Sequence, residues 1–113
     1  LKWIRLSKIN NNISHSWQAF VFHFNPVNSK IKREVLMELL ESKNIASRSG
    51  THAIHMLSYY KKRFNFKPSD FPNAKKCHEN TIALPLHNNI KLEDYKYIVE
   101  KLYEIDLQIS KKY

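Results

Sequence analysis

The octet Trp17-Gln18-Ala19-Phe20-Val21-Phe22-His23-Phe24 constrains the fold more than any other stretch of this 113-residue chain. It is rich in aromatic and β-favouring residues, and Asn25-Pro26 closes it. Side chains alternate between the two faces of a strand. Here the alternate sets are Trp17/Ala19/Val21/His23 and Gln18/Phe20/Phe22/Phe24, and both are largely apolar. The octet therefore predicts a strand covered on both faces, and so a layered arrangement of sheet and helices.

The segments around it supply the layers. Ser29 is placed to cap a helix in which Ile31, Val35, Leu36, Leu39 and Leu40 recur at helical spacing. Lys43 suits the negative end of that helix dipole, and Asn44 the left-handed stop. Residues 45–55 read as a strand followed by a bend, with Gly50, the only glycine, marking a close backbone approach. A short helix is expected over residues 56–64. Lys67-Pro68-Ser69-Asp70-Phe71-Pro72 is a loop into a second short helix over 73–80. Thr81-Ile82-Ala83-Leu84-Pro85-Leu86 alternates like a strand, and Pro85 puts it at an edge or a strand end. After the Asn88-Asn89 turn, Leu92, Tyr95, Val99, Leu102, Ile105 and Ile109 form the apolar stripe of a last helix, with Glu93-Asp94 at its positive end. Residues 1–15 read as polar and irregular after a short apolar start. The order is β-α-β-α-α-β-α. The fold class is α+β, a small antiparallel sheet of about three strands covered by helices.

A chain of 113 residues makes one domain and can bury roughly two-thirds of its unfolded surface. At 42% hydrophobic it is too apolar for a disordered basic tail. One glycine and four prolines exclude collagen-like and flexible-linker character, and a glycine-rich phosphate loop with them. The single Cys77 excludes an internal disulfide and a cysteine-rich zinc site, and fits a reducing, cytoplasmic setting. No apolar run approaches the ~18 residues of a membrane span. The start, Leu1-Lys2-Trp3-Ile4-Arg5-Leu6, has neither a signal-peptide core nor an initiator methionine, so a piece of a longer protein is expected.

Nineteen basic residues against ten acidic ones leave a net charge of +9, which favours anionic partners. The charges are scattered, with Lys61-Lys62-Arg63 the tightest group. Interleaved with Tyr59, Tyr60 and Phe64, that group would suit base stacking, and a small basic nucleic-acid-binding module is the alternative reading. The densest chemistry lies in Arg48-Ser49-Gly50-Thr51-His52-Ala53-Ile54-His55, followed by Tyr59 and Tyr60. An arginine fork, a hydroxyl and two imidazoles suit an anionic, hydroxyl-rich ligand. Histidines at 52 and 55 match no metal motif, and Cys77, although it precedes His78-Glu79, reads as a small buried hydrophobe.

Arg48-Ser49-Gly50-Thr51-His52-Ala53-Ile54-His55-Met56-Leu57-Ser58-Tyr59-Tyr60 resembles the pattern of the DegT/StrS-type nucleotide-sugar aminotransferases. So does Phe71-Pro72-Asn73-Ala74, and so does Ile82-Ala83-Leu84-Pro85-Leu86 before an acidic-started helix. The likeness runs in order over residues 16–102. It implies the C-terminal small domain of an aspartate-aminotransferase-like fold over residues 16–113, with residues 1–15 as the junction from a large N-terminal domain. Members of such a family are homodimers that use pyridoxal phosphate (PLP) to move an amino group, usually from glutamate, to a keto-sugar nucleotide, most often for cell-surface polysaccharide. The resemblance implies that PLP is bound mainly by the large domain, so that no residue here is catalytic, cofactor-binding or metal-ligating. It makes Arg48, Thr51, His52, His55 and Tyr60 the substrate-side residues of a domain that closes the active site, with no specific nucleic acid or membrane partner. Two departures stand out. Ser49 replaces a common proline, and Lys91 stands where Thr or Ser often caps the last helix, which should loosen that helix start.

Overall fold

The computed structural model describes residues 1–112. Four strands, β1 (Ile4–Leu6), β2 (Phe20–Phe24), β3 (Arg48–Ser49) and β4 (Thr81–Leu84), form one antiparallel sheet in the order β1-β2-β4-β3. The helices are α1 (Pro26–Ser29), α2 (Arg33–Glu41), α3 (Ser58–Phe64), α4 (Pro72–Asn80) and α5 (Leu92–Lys112). The α+β class and the antiparallel sheet agree with the sequence reading. The number of strands does not, because the apolar start of the chain pairs with β2 and adds a fourth.

Register sorts the side chains between two faces. Ile4 lies opposite Phe24, Leu6 opposite Phe22, Phe22 opposite Ile82 and Phe20 opposite Leu84. This face meets α2 and α5, and Phe22, Phe24 and Ile82 join Trp3, Leu36, Leu40, Leu102 and Ile105 in the core. The other face carries Arg5 opposite His23, His23 opposite Thr81, and both Val21 and Arg48 opposite Ala83. Helix α4 runs directly into β4 and is tied to it by the Thr81 hydroxyl, which donates to the Cys77 carbonyl at 2.7 Å. Strand β2 thus has apolar contact on one side and mixed polar contact on the other.

Several local expectations change. β2 begins at Phe20 rather than Trp17, because Trp17 takes a left-handed φ of 49°, remains exposed and stacks on Phe20. Ser29 does not cap the long helix. It ends α1, is buried, and its hydroxyl serves the turn between α1 and α2 by accepting from the Ile31 N–H. Asn25 caps α1, its Oδ1 accepting from the Val27 and Asn28 N–H groups, while α2 starts after Lys32 without a side-chain cap. Asn44 takes the left-handed stop as expected, at φ 57°. In α5 the buried row is Ile98, Leu102, Ile105 and Ile109, whereas Leu92, Tyr95 and Val99 are exposed. The spacing 98/102/105/109 is the row that faces the sheet, and 92/95/99 is the row beside it. β4 is interior to the sheet, so Pro85 marks its end and not an edge. The start of α5 keeps half a capping box despite Lys91, since the Asp94 carboxylate accepts from the Lys91 N–H at 2.9 Å.

Candidate functional site

Gly50 places the segment that carries the candidate residues. Its N–H donates to the Thr81 carbonyl at 3.1 Å, holding the chain against β4 just beyond β3. A Cβ at this position would lie 2.5 Å from Val21 Cγ1 and 2.7 Å from Thr81 Cβ. The backbone therefore passes closer to its neighbours than any side chain allows, which is the reason for glycine here. Beyond it the chain reaches a 3₁₀ turn at Ile54–Met56 and then α3. Buried Ala53 pins the middle of the run.

The five candidate residues sit along this segment in different settings. Arg48 is exposed on the edge strand, and Thr51 and His52 are exposed just after it. His52 faces α4, its ring 5.8 Å from that of His78. His55 is only 6% exposed and packs on Phe71 with ring centroids 4.9 Å apart. Tyr60 is half-buried between Tyr59 and Phe64. Phe64, Phe66 and Phe71 continue the contact, so a run of rings leads from Tyr59 back to His55. Among the described residues, no hydrogen bond or ion pair joins Arg48, Thr51, His52, His55 and Tyr60 to one another.

Two imidazole nitrogens are left over. His55 Nε2 and His78 Nδ1 are buried and have no hydrogen-bond partner. A buried polar atom without a partner costs about 1–3 kcal/mol. His78 lies against His52 in the fold, whereas the sequence sets it only beside Cys77. Arg33, at the start of α2, was missed as well. Its Nη1 donates to the His78 carbonyl while its Nη2 holds Glu34 at 2.9 Å, so one guanidinium ties α2 to the end of α4. The separation of 45 positions leaves no local signal for this pairing. The Glu34 carboxyl is held below its usual range by its own backbone N–H and by Arg33.

No set of three or more side chains able to hold a metal occurs among the described residues. No described helix is long and apolar enough to cross a membrane.

The family model for the DegT/DnrJ/EryC1/StrS aminotransferase family matches residues 2–103, and the chain belongs to that family. The spore coat polysaccharide biosynthesis protein SpsC of Bacillus subtilis is 28% identical over 92 residues, which are 80% of this chain and 24% of SpsC. Among solved structures, the aminotransferase TlmJ of Streptoalloteichus hindustanus superposes with a TM-score of 0.79 at 14% identity, over 97% of this chain and 28% of TlmJ. PseC of Helicobacter pylori, an aminotransferase involved in the biosynthesis of pseudoaminic acid, gives 0.70 at 19% identity, over 80% of this chain and 24% of PseC. The two structures show the shared fold. The chain spans about a quarter of the length of the curated relatives it matches.

The family is generally PLP-dependent. PLP needs a lysine amine for its aldehyde and a carboxylate for its ring nitrogen, converging on one enclosed place. The lysines most shielded by their surroundings, Lys43 and Lys101, are both paired with Glu104 at the α2–α5 contact. Near Arg48–Tyr60 the acidic side chains are engaged elsewhere, Glu79 with Lys75 and Asp70 with the Lys67 N–H. The residues present do not fit the cofactor, and no step through it is derived from them.

Proposed function

We propose that this chain is the C-terminal small domain of a PLP-dependent aminotransferase that moves an amino group from a donor such as glutamate to a keto-sugar nucleotide, serving cell-surface polysaccharide synthesis. In this reading residues 1–15 carry the junction from a large domain that holds PLP, and β1 is lent to the small-domain sheet. The whole protein is a cytoplasmic homodimer. The small domain closes the active site and supplies substrate contacts but no catalytic group. PLP supplies the electron sink for the reaction, while the residues here bind and orient.

The observation that carries the reading is the pair of unpartnered buried nitrogens, His55 Nε2 and His78 Nδ1, beside the exposed Arg48, Thr51 and His52. Arg48 offers two parallel N–H donors to a phosphate or carboxylate. Thr51 and His52 hydrogen-bond sugar or phosphate oxygens, and His55 takes a bond from the closing domain or the substrate. Tyr60 borders the same surface through its ring contacts with Tyr59 and Phe64. The test is Arg48→Ala in the complete enzyme. KM for the sugar nucleotide is expected to rise about tenfold or more, with cofactor absorbance and the glutamate half-reaction intact. Unchanged sugar-nucleotide kinetics would refute the role given to Arg48. The 113-residue chain by itself is expected to form no stoichiometric, reducible lysine adduct with PLP.

A further inference from the structure

We propose that the cleft between β1, β2 and α4, walled by Lys2, Arg5, His23 and Lys76, is a binding site for a diphosphate group. The cleft has a volume of about 620 Å³ and lies at the β1 side of the sheet, where Ile4, Phe24 and residues 25–28 at α1 also line it, whereas Arg48 lies at the β3 side. Its three cations, Lys2, Arg5 and Lys76, come from the start of the chain, from β1 and from α4. Arg5 and His23 are directly opposed in the β1–β2 register, Lys2 precedes β1, and Lys76 comes from α4 above them.

Nothing in the described chain neutralises this charge. No acidic side chain lines the cleft. The ion pairs among the described residues engage Arg33, Lys43, Lys75 and Lys101, and neither Lys2, Arg5 nor Lys76 takes part in one. Glu79, the carboxylate closest along α4, is turned to Lys75 at 2.6 Å. The field is felt by the imidazole in the cleft. Burial, then Arg5, then Lys76 hold His23 below its usual pKa. Like charges gathered without a counter-charge repel one another, and an anion is the group that relieves them.

The donor set selects the kind of anion. A lone carboxylate is satisfied by one guanidinium fork. Here the Arg5 fork is supplemented by two ammonium groups on different walls and by the Asn80 amide, an arrangement suited to oxygens spread over two linked phosphates. The Lys2 wall is held in place, since the Asn28 side-chain amide donates to the Lys2 carbonyl at 2.9 Å. The site stands on the geometry of the cleft alone and holds or fails independently of the aminotransferase reading.

The experiment is a calorimetric titration of the 113-residue chain with inorganic diphosphate and, in parallel, with ADP. Saturable binding of either is expected, and the tighter of the two tells whether the diphosphate is recognised free or as part of a nucleotide. The Arg5→Gln/Lys76→Gln double variant is expected to bind about tenfold or more weakly, while Lys61→Gln, on α3, leaves the affinity unchanged. Imidazole NMR on the unmodified chain supplies a readout that needs no variant. Diphosphate is expected to raise the titration midpoint of His23. No saturable binding of either ligand, an equal loss on Lys61→Gln, or a His23 midpoint that diphosphate does not move would each overturn the proposal.

Discussion

The Trp3 indole N–H donates to the Asp106 carboxylate at 2.6 Å, joining residues 103 positions apart. This bond fastens the chain's apolar start to the middle of α5. Trp3 is 1% exposed and meets Phe24 edge-on, with ring centroids 5.9 Å apart, so it sits where strand, helix and core converge. An indole buried this deeply needs a partner for its one donor, and Asp106 is the acceptor within reach. The bond also explains why an acidic residue lies next to the buried row of α5.

Removing the acceptor should therefore cost more when the indole donor is present than when it is absent. Asp106→Ala leaves the indole donor unsatisfied and is expected to lower stability by about 1–3 kcal/mol. Trp3→Phe keeps most of the ring and removes the donor. In the double variant the Asp106 change should then add little beyond the Trp3→Phe loss. Urea unfolding of the four proteins provides the cycle. Strict additivity would mean the bond contributes nothing.

Gly50→Ala tests the close approach that sets the position of the 51–60 segment. The added methyl would sit 2.5 Å from Val21 Cγ1 and 2.7 Å from Thr81 Cβ, both on interior strands that cannot easily retreat. A loss of about 1–3 kcal/mol is expected. Adding Val21→Ala clears the first clash and leaves the second, so a partial recovery is expected in thermal or urea unfolding. A Gly50→Ala protein as stable as the parent would show that the segment can swing away from β4.

What the sequence revealed follows from how local each signal was. Phe22, Phe24 and Ile82 declare themselves by alternation, and Leu36, Leu40 and Asn44 by helical spacing and its stop; all of these lie where expected. β1 has only three residues, too few for a period to show, and it exists because β2 pairs with it. Val99 and Ile98 are adjacent and equally apolar, so only the packing of α5 decides which is buried. The glycine-anchored segment could be read because Gly50, Arg48 and the two histidines are consecutive in the chain. Arg33 and His78 could not, since the turn at residues 30–32 and the path of α4 bring them together.

The Arg33 contact makes a claim of its own. Its guanidinium serves the His78 carbonyl and Glu34 at once, a geometry an ammonium cannot reproduce. Arg33→Lys is expected to lose about 1–3 kcal/mol, close to the loss for Arg33→Ala. The local effect is the more telling one. With the end of α4 released, hydrogen exchange of the Asn80 and Thr81 amides should speed up, while that of Leu36 and Leu40 stays slow. Equal acceleration throughout the chain would point to general loosening and deny the specific tie.

His23 gives stability a dependence on pH whose sign is fixed. The groups that face it are Arg5 from β1, Lys76 from α4 and the uncharged Thr81 from β4. Burial and the two cations lower its folded pKa beneath the reference value of 6.5, so between those two values the unfolded chain binds more protons than the folded one. The contribution is therefore fully present above about pH 6.5, declines as pH falls through that value, and levels off below the folded pKa. His23→Gln removes the titrating group and should flatten this part of the profile. Urea midpoints measured from about pH 8 down to about pH 5 for both proteins supply the comparison. If the two profiles run parallel through that window, the charge on His23 is not resisted by the fold, and the positive field assigned to its cleft is absent.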